Sequence, residues 1–160
     1  MKKTFLILLV AVLFAFPVTA NVFQDADVSI GIGLGDSVHL TTRLDLDRTM
    51  SAVFNVGFGY GQAGGLYFRP QYQHAMSELE FDIDIMRFYP YVGAAVPMAF
   101  GGDGFDLGVS GVAGLSYYFA NAPLEIYVEA LPGMRLMKAG EINAGFGIGG
   151  GIGLRYSLRR

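Results

Sequence analysis

The chain has 160 residues, no cysteine, a net charge of −3, an apolar share of 52% and 23 glycines. Without cysteine there can be no disulfide, thiol catalysis or lipidated-cysteine anchor, and the acidic balance argues against a nucleic-acid partner. Beyond the first twenty residues no apolar block approaches the roughly 20 residues of a membrane-spanning helix, so any attachment to a bilayer must come from the fold itself.

Residues 1–20 read as a cleaved secretory signal. Lys2 and Lys3 form its basic start, Thr4 to Val18 its apolar run, and Val18-Thr19-Ala20 its small-residue cleavage site. The expected mature chain, 21–160, is one domain. Losing Lys2 and Lys3 leaves 9 basic against 14 acidic residues, a net of −5.

From there the pattern is strict alternation, which marks strands with one apolar face. Val28, Ile30, Ile32 and Leu34 oppose Ser29, Gly31, Gly33 and Gly35. Residues 37–46 set Val38, Leu40, Thr42, Leu44 and Leu46 against His39, Thr41, Arg43 and Asp45, and residues 51–61 set Ala52, Phe54, Val56, Phe58 and Tyr60 against Asn55, Gly57 and Gly59. Further strands are expected at 66–74, with Phe68 and Tyr72 opposite Arg69, Gln71 and Gln73, and at 86–98, with Val92, Ala94, Val96 and Met98 opposite Tyr91, Gly93 and Ala95. Residues 105–119 oppose Leu107, Val109, Leu115 and Tyr117 to Asp106, Gly108, Ser110 and Ser116, and residues 124–131 oppose Leu124, Ile126 and Val128 to Glu125, Tyr127 and Glu129. The last strand, ending at Leu158, alternates Phe146, Ile148, Ile152, Leu154 and Tyr156 with Gly145, Gly147, Gly149, Gly151, Gly153 and Arg155. Separators with turn chemistry lie at Gly35-Asp36, Asp47-Arg48, Gln62 to Gly65, Gly101 to Gly104, Asn121 to Pro123 and Pro132-Gly133.

Eight such strands predict an all-β fold, an eight-stranded antiparallel up-and-down transmembrane barrel preceded by the signal helix. A soluble barrel would show the same alternation, with its apolar face inward. Three features favour the inverted form. The apolar parity is large and the polar parity small and glycine-rich, as a narrow polar lumen requires. Aromatic residues Phe54, Tyr60, Phe68, Tyr72, Tyr117, Phe119 and Tyr156 are expected near strand ends as girdles. Gly153, Tyr156 and Leu158 close the chain in the manner of a signal for the outer-membrane assembly machinery, followed by Arg159-Arg160 where a terminal aromatic is commoner.

The stretch LSYYFANAPLEIYVEALPGMRL (115–136) and the closing GIGGGIGLRY (147–156) resemble a family of small bacterial outer-membrane barrels related in fold to the OmpA and OmpX barrels. The resemblance implies eight strands with both termini in the periplasm, and it carries no catalytic residues.

If the polar parity faces the lumen, Arg43, Asp45, Arg69, Glu125, Glu129 and Arg155 converge there and must pair, since an unpaired buried charge is costly. A structural salt-bridge network is the expectation; a gated ion path would require the pairs to rearrange. Glu78, Glu80, Asp82 and Asp84 form an acidic run that could ligate calcium, but the glycine of a calcium loop is absent, and a solvated edge is the expected reading. A lipid A-modifying enzyme would need histidine, serine and carboxylate together. The histidines are His39 and His74, and His39-Leu40-Thr41 offers threonine on the lumen face. Gly145 to Gly150 matches a dinucleotide fingerprint, but the alternation runs straight through it where a strand-to-helix turn is required. The expected function is therefore a monomeric, non-enzymatic outer-membrane protein with an envelope-structural or surface-interaction role, without cofactor or metal, whose partners are outer-membrane lipid and the assembly machinery. A lipid A-modifying enzyme and a soluble periplasmic barrel binding an apolar ligand are the alternatives. The connection from Leu131 to Ile142, with Arg135 and Lys138, is the one expected to offer a partner much surface.

Overall fold

The computed structural model describes residues 27–59, 65–76, 79–80, 87–102 and 104–158. The expected signal helix, most of the acidic run and the last two arginines lie outside them. The described residues form strand segments β1 (Asp27–Gly35), β2 (Ser37–Asp45), β3 (Met50–Gly59), β4 (Leu66–Ala75), β5 (Leu79–Glu80), β6 (Arg87–Ala95), β7 (Met98–Gly101), β8 (Gly104–Tyr118), β9 (Leu124–Lys138) and β10 (Glu141–Ser157). β6 and β7 are two halves of one strand. Both pair with β4 and with β8 in a single unbroken register, interrupted at Val96-Pro97, where proline has no N–H to give. β5 adds two residues beside the start of β6. Consecutive strands pair antiparallel, and β10 returns to pair with β1, so the sheet closes as an eight-stranded barrel.

The register fixes the shape. Crossing strand by strand from Ser29 leads through Arg43, Val53, Gln71, Ala95, Ser110 and Gly133 to Gly147. Ser29 itself pairs with Ser157, so the circuit closes with a stagger of ten residues. Ten residues at about 3.3 Å, set against eight strands about 4.8 Å apart, tilt the strands by about 40°.

The two ends of the barrel differ. At the end holding the termini the strands finish at similar heights. At the other end the strand tops climb along the ladder from β1 to β10, and strand length grows from 9 residues in β1 to 15 in β8 and β9 and 17 in β10. The rim then drops at the β10–β1 seam, where Gly35 meets Gly151.

Alternation assigns the faces. Ile30, Ile32, Leu34, Leu40, Val56, Phe58, Val92, Val128, Ile152 and Leu154 are exposed on the outer wall, while Ser29, Thr41, Asn55, Arg69, Gln71, Ser116, Glu125, Glu129 and Arg155 are buried inside it. Apolar residues also fill part of the lumen. Tyr91, Ala95, Val112 and Leu131 form a buried cluster, and Val53 is fully enclosed. Inward glycines make room for the tyrosines: a Cβ at Gly153 would stand 2.4 Å from the Tyr127 ring, and one at Gly114 would stand 2.3 Å from that of Tyr91.

Two expectations are corrected. Pro132-Gly133 is not a turn. β9 runs through it: the missing N–H of Pro132 leaves a gap in the β8–β9 ladder opposite Gly111, and pairing resumes on either side. The connection expected between Leu131 and Ile142 is therefore mostly paired strand, closed by the two-residue turn Ala139-Gly140 with φ of 53° and 83°, the left-handed pair that suits a tight hairpin. The aromatic girdle is also redistributed. Tyr117 makes ring contacts with Phe88 and Phe119 at the terminus end, whereas Phe54 and Phe68 lie within their strands, paired with Pro70 and Val56; Tyr60 lies outside the described residues.

Candidate functional site

The six charged residues singled out by parity meet inside the barrel, in two groups. Nearer the termini, Glu125 Oε1 accepts from Arg43 Nη1 (3.1 Å), Arg155 Nη1 (3.2 Å) and Ser116 Oγ (2.5 Å). Arg43 Nε also donates to Asp45 Oδ1 (2.7 Å), its Nη1 donates to the Tyr118 hydroxyl (2.6 Å), and Ser51 Oγ donates to Asp45 Oδ1 (2.6 Å). Arg155 lies over the Tyr127 ring, 3.8 Å from its centroid, and its Nε donates to Thr41 Oγ1.

In the middle of the lumen Arg69 from β4 reaches across to Glu129 on β9 in a fully buried ion pair. Glu129 also accepts from Gln71 Nε2 (3.1 Å) and from the Tyr91 hydroxyl (3.5 Å). Asn55 links the groups. Its amide oxygen accepts from Arg69 Nε and Nη2 (3.2 Å each), and its nitrogen donates to Thr41 Oγ1 (2.8 Å). The three guanidinium and three carboxylate charges balance. Such an arrangement offsets part of the cost of burying each charge, and its geometry is that of a filled core.

Tyr91, Tyr118 and Tyr127 complete this network, as do Asn55, Gln71, Ser51 and Ser116. Each lies on the polar parity, so alternation marks its face but not its partner. Gln73 stands apart, fully buried with both amide atoms unbonded among the described residues.

His39 points into the lumen. Its Nδ1 lies 2.9 Å from Ser37 Oγ and its Nε2 lies 3.5 Å from the Tyr127 hydroxyl. A serine does meet the histidine, but Ser37 is 1% exposed and the ring's other nitrogen faces a phenol where a carboxylate would orient a base. His74 is on the outer wall of β4. The glycines Gly145 to Gly150 run as extended strand within β10. Of the expected assembly signal, Gly153 lies under Tyr127, Tyr156 is exposed between Ile30 and Leu124, and the Leu158 N–H donates to Val28 O (2.8 Å).

Beyond the plug, at the tall end, a cavity of about 400 Å³ opens between Tyr67, Asp106, Leu131, Arg135 and the glycine-lined inner face of β10. Asp106 Oδ1 accepts from the Ala139 N–H (2.7 Å) and so holds the β9–β10 turn. No family model, curated protein or solved structure matches the chain.

Proposed function

We propose that the chain is an integral outer-membrane barrel with a non-enzymatic role in envelope structure or surface interaction, exported through its signal peptide and inserted by the outer-membrane assembly machinery. One observation carries this reading: the barrel is inside out relative to a soluble one, with its large apolar side chains on the outer wall and its charges within. The scale agrees. Strands of nine or ten residues, as in β1 to β4, project about 23 to 25 Å along the axis at a 40° tilt, close to the roughly 25 Å apolar band of outer-membrane barrels. Phe88, Tyr117, Phe119 and Tyr156 at the terminus end suit an interfacial girdle. The charge-balanced network of the lumen supports a structural or surface role over that of a porin, and a soluble barrel for an apolar ligand would need the opposite polarity.

The test exploits the missing cysteines. Leu40→Cys on the outer wall should react with a bilayer-restricted thiol probe, and its neighbour Thr41→Cys should not. Recovery of the parent protein from the soluble periplasm without detergent would overturn the proposal.

A further inference from the structure

Among the described residues the drop in the rim leaves one strand edge uncovered. β1 ends opposite Gly151, and Asp36 closes the ladder there: its N–H donates to Gly150 O (3.2 Å) and its carboxylate accepts from the Gly150 N–H (2.9 Å). β10 continues past this cap to Glu141, paired on its other side with β9. Along an antiparallel strand the backbone groups point to alternate sides. Gly150 points toward β1, so Phe146 and Ile148 turn their N–H and C=O groups to the same, now open, side. The gap at Pro132 fits this phase, because it lies in the β8–β9 ladder, so the backbone of Pro132 faces β8 and its partner Ile148 faces away from β9.

The side chains along this edge are equally uncovered. Ile142, Phe146 and Ile148 are 91%, 76% and 74% exposed, the three highest values for large apolar residues among the described residues. They stand on the part of β10 that rises above the top of β1: at the 40° tilt Ile148 lies about 23 Å above Ser157, at the rim of an apolar band of about 25 Å, and Phe146 and Ile142 lie about 28 and 38 Å above it, beyond that band. On the inner face Gly145 and Gly147 leave the wall thin, and a Cβ at Gly147 would meet nothing within 4 Å. The mouth cavity lies directly behind them.

We propose that the upper edge of β10 is a docking site for an extended segment of another polypeptide, which adds as a strand antiparallel to β10 and continues the ladder where β1 leaves off. A row of donors and acceptors repeating every second residue, about 6.6 Å, is matched by another strand and not by a compact ligand. The incoming segment places apolar side chains beside Phe146 and Ile148 on the outer face. Its inward side chains enter the cavity, where Arg135, which has no carboxylate partner among the described residues, favours an acidic residue. A second copy does not fit. Two barrels sharing one membrane and related by an axis along its normal would cross their β10 strands at about 80°, against the roughly 25° between paired strands. That exclusion and the comparison with an apolar band rest on the membrane reading.

The test uses the full barrel in detergent and a synthetic nine-residue peptide with valine on one face and alternating tyrosine and glutamate on the other. Amide hydrogen exchange at Phe146 and Ile148 should be fast in the free barrel and slow by about tenfold or more, equivalent to about 1.4 kcal/mol or more, with peptide in excess. Ile148→Pro removes the edge-facing donor without touching the β9 ladder, so peptide protection of Phe146 should vanish while heat-dependent gel migration stays that of a closed barrel. Phe146→Ser keeps the backbone and should weaken the protection; it decides the matter if the proline variant does not fold. Protection already present in the free barrel, protection rising with barrel concentration alone, or none with the peptide would each overturn the proposal. The Leu40 and Thr41 labelling reads the membrane assignment separately.

Discussion

Replacing Glu129 by glutamine isolates the central ion pair at nearly constant shape. The side chains of Arg69 and Glu129 are 3% and 1% exposed, so the substitution leaves a guanidinium in the lumen with no opposite charge beside it. Removing one member of a buried pair costs about 3 to 5 kcal/mol. Arg69 keeps both bonds to the Asn55 oxygen and lies 5.9 Å from the centre of the Tyr67 ring, which places Glu129→Gln near the lower figure. About 3 kcal/mol is roughly a 150-fold change in the folded-to-unfolded ratio. Removing both charges, as R69M/E129L, should return stability to within about 1 kcal/mol of the parent, because an apolar pair of similar volume carries no desolvation cost. The assay is urea unfolding of the refolded barrel, followed by circular dichroism and by tyrosine fluorescence, since the chain has no tryptophan. If Glu129→Gln unfolds within about 0.5 kcal/mol of the parent, or the double variant is as unstable as the single one, the network is not a stabilising core.

Glu125→Gln should be the worse of the two carboxylate substitutions, by about 1 kcal/mol or more in the same titration, because one oxygen serves both Arg43 and Arg155. Gly153→Ala should cost about 1 to 3 kcal/mol through overpacking against Tyr127, with partial rescue by Tyr127→Leu; a loss seen in cells but absent on refolding in vitro would instead assign Gly153 to the assembly signal. Ala139→Asn should stabilise the β9–β10 hairpin by about 0.5 to 1 kcal/mol, read as slower amide exchange there, since asparagine tolerates the left-handed backbone better than alanine. In the turn between β2 and β3, hydrogen bonds from the Thr49 and Met50 N–H groups hold the Asp47 carboxyl below the ordinary carboxylate range. The turn is therefore fully stabilised above that range and loosens as pH falls through the lowered value, which a chemical-shift titration of Asp47 should follow; a midpoint at or above the ordinary value would refute it.

Much of the barrel is legible as alternation because the two walls differ in kind as well as in polarity. Large side chains outside and glycine inside are both consequences of a narrow lumen, and they reinforce each other along β1 and β10. The pattern fails where the lumen needs volume more than polarity. Val53, Val112 and Leu131 are inward and apolar, and nothing in their neighbours announces it. Pro132-Gly133 carries turn chemistry, but β9 continues across the gap that the proline leaves opposite Gly111. Tyrosines escape a charge-based search for the same reason: Tyr127 marks its face by parity, but its stacking on Arg155 depends on a register set by the stagger of the whole circuit. That stagger is a property of closure, and no local window contains it.

The network also bears on how the chain comes together. Arg69 and Glu129 are 60 residues apart, and Arg43 and Glu125 are 82 apart; each pair joins the N-terminal half of the sheet to the C-terminal half. Before closure Arg43 of β2 keeps Asp45 on its own strand but stands far from Glu125, and Arg69 of β4 stands far from Glu129. Those two pairs form only as the halves of the sheet meet, so closing the barrel and neutralising its core are coupled through contacts of long sequence separation.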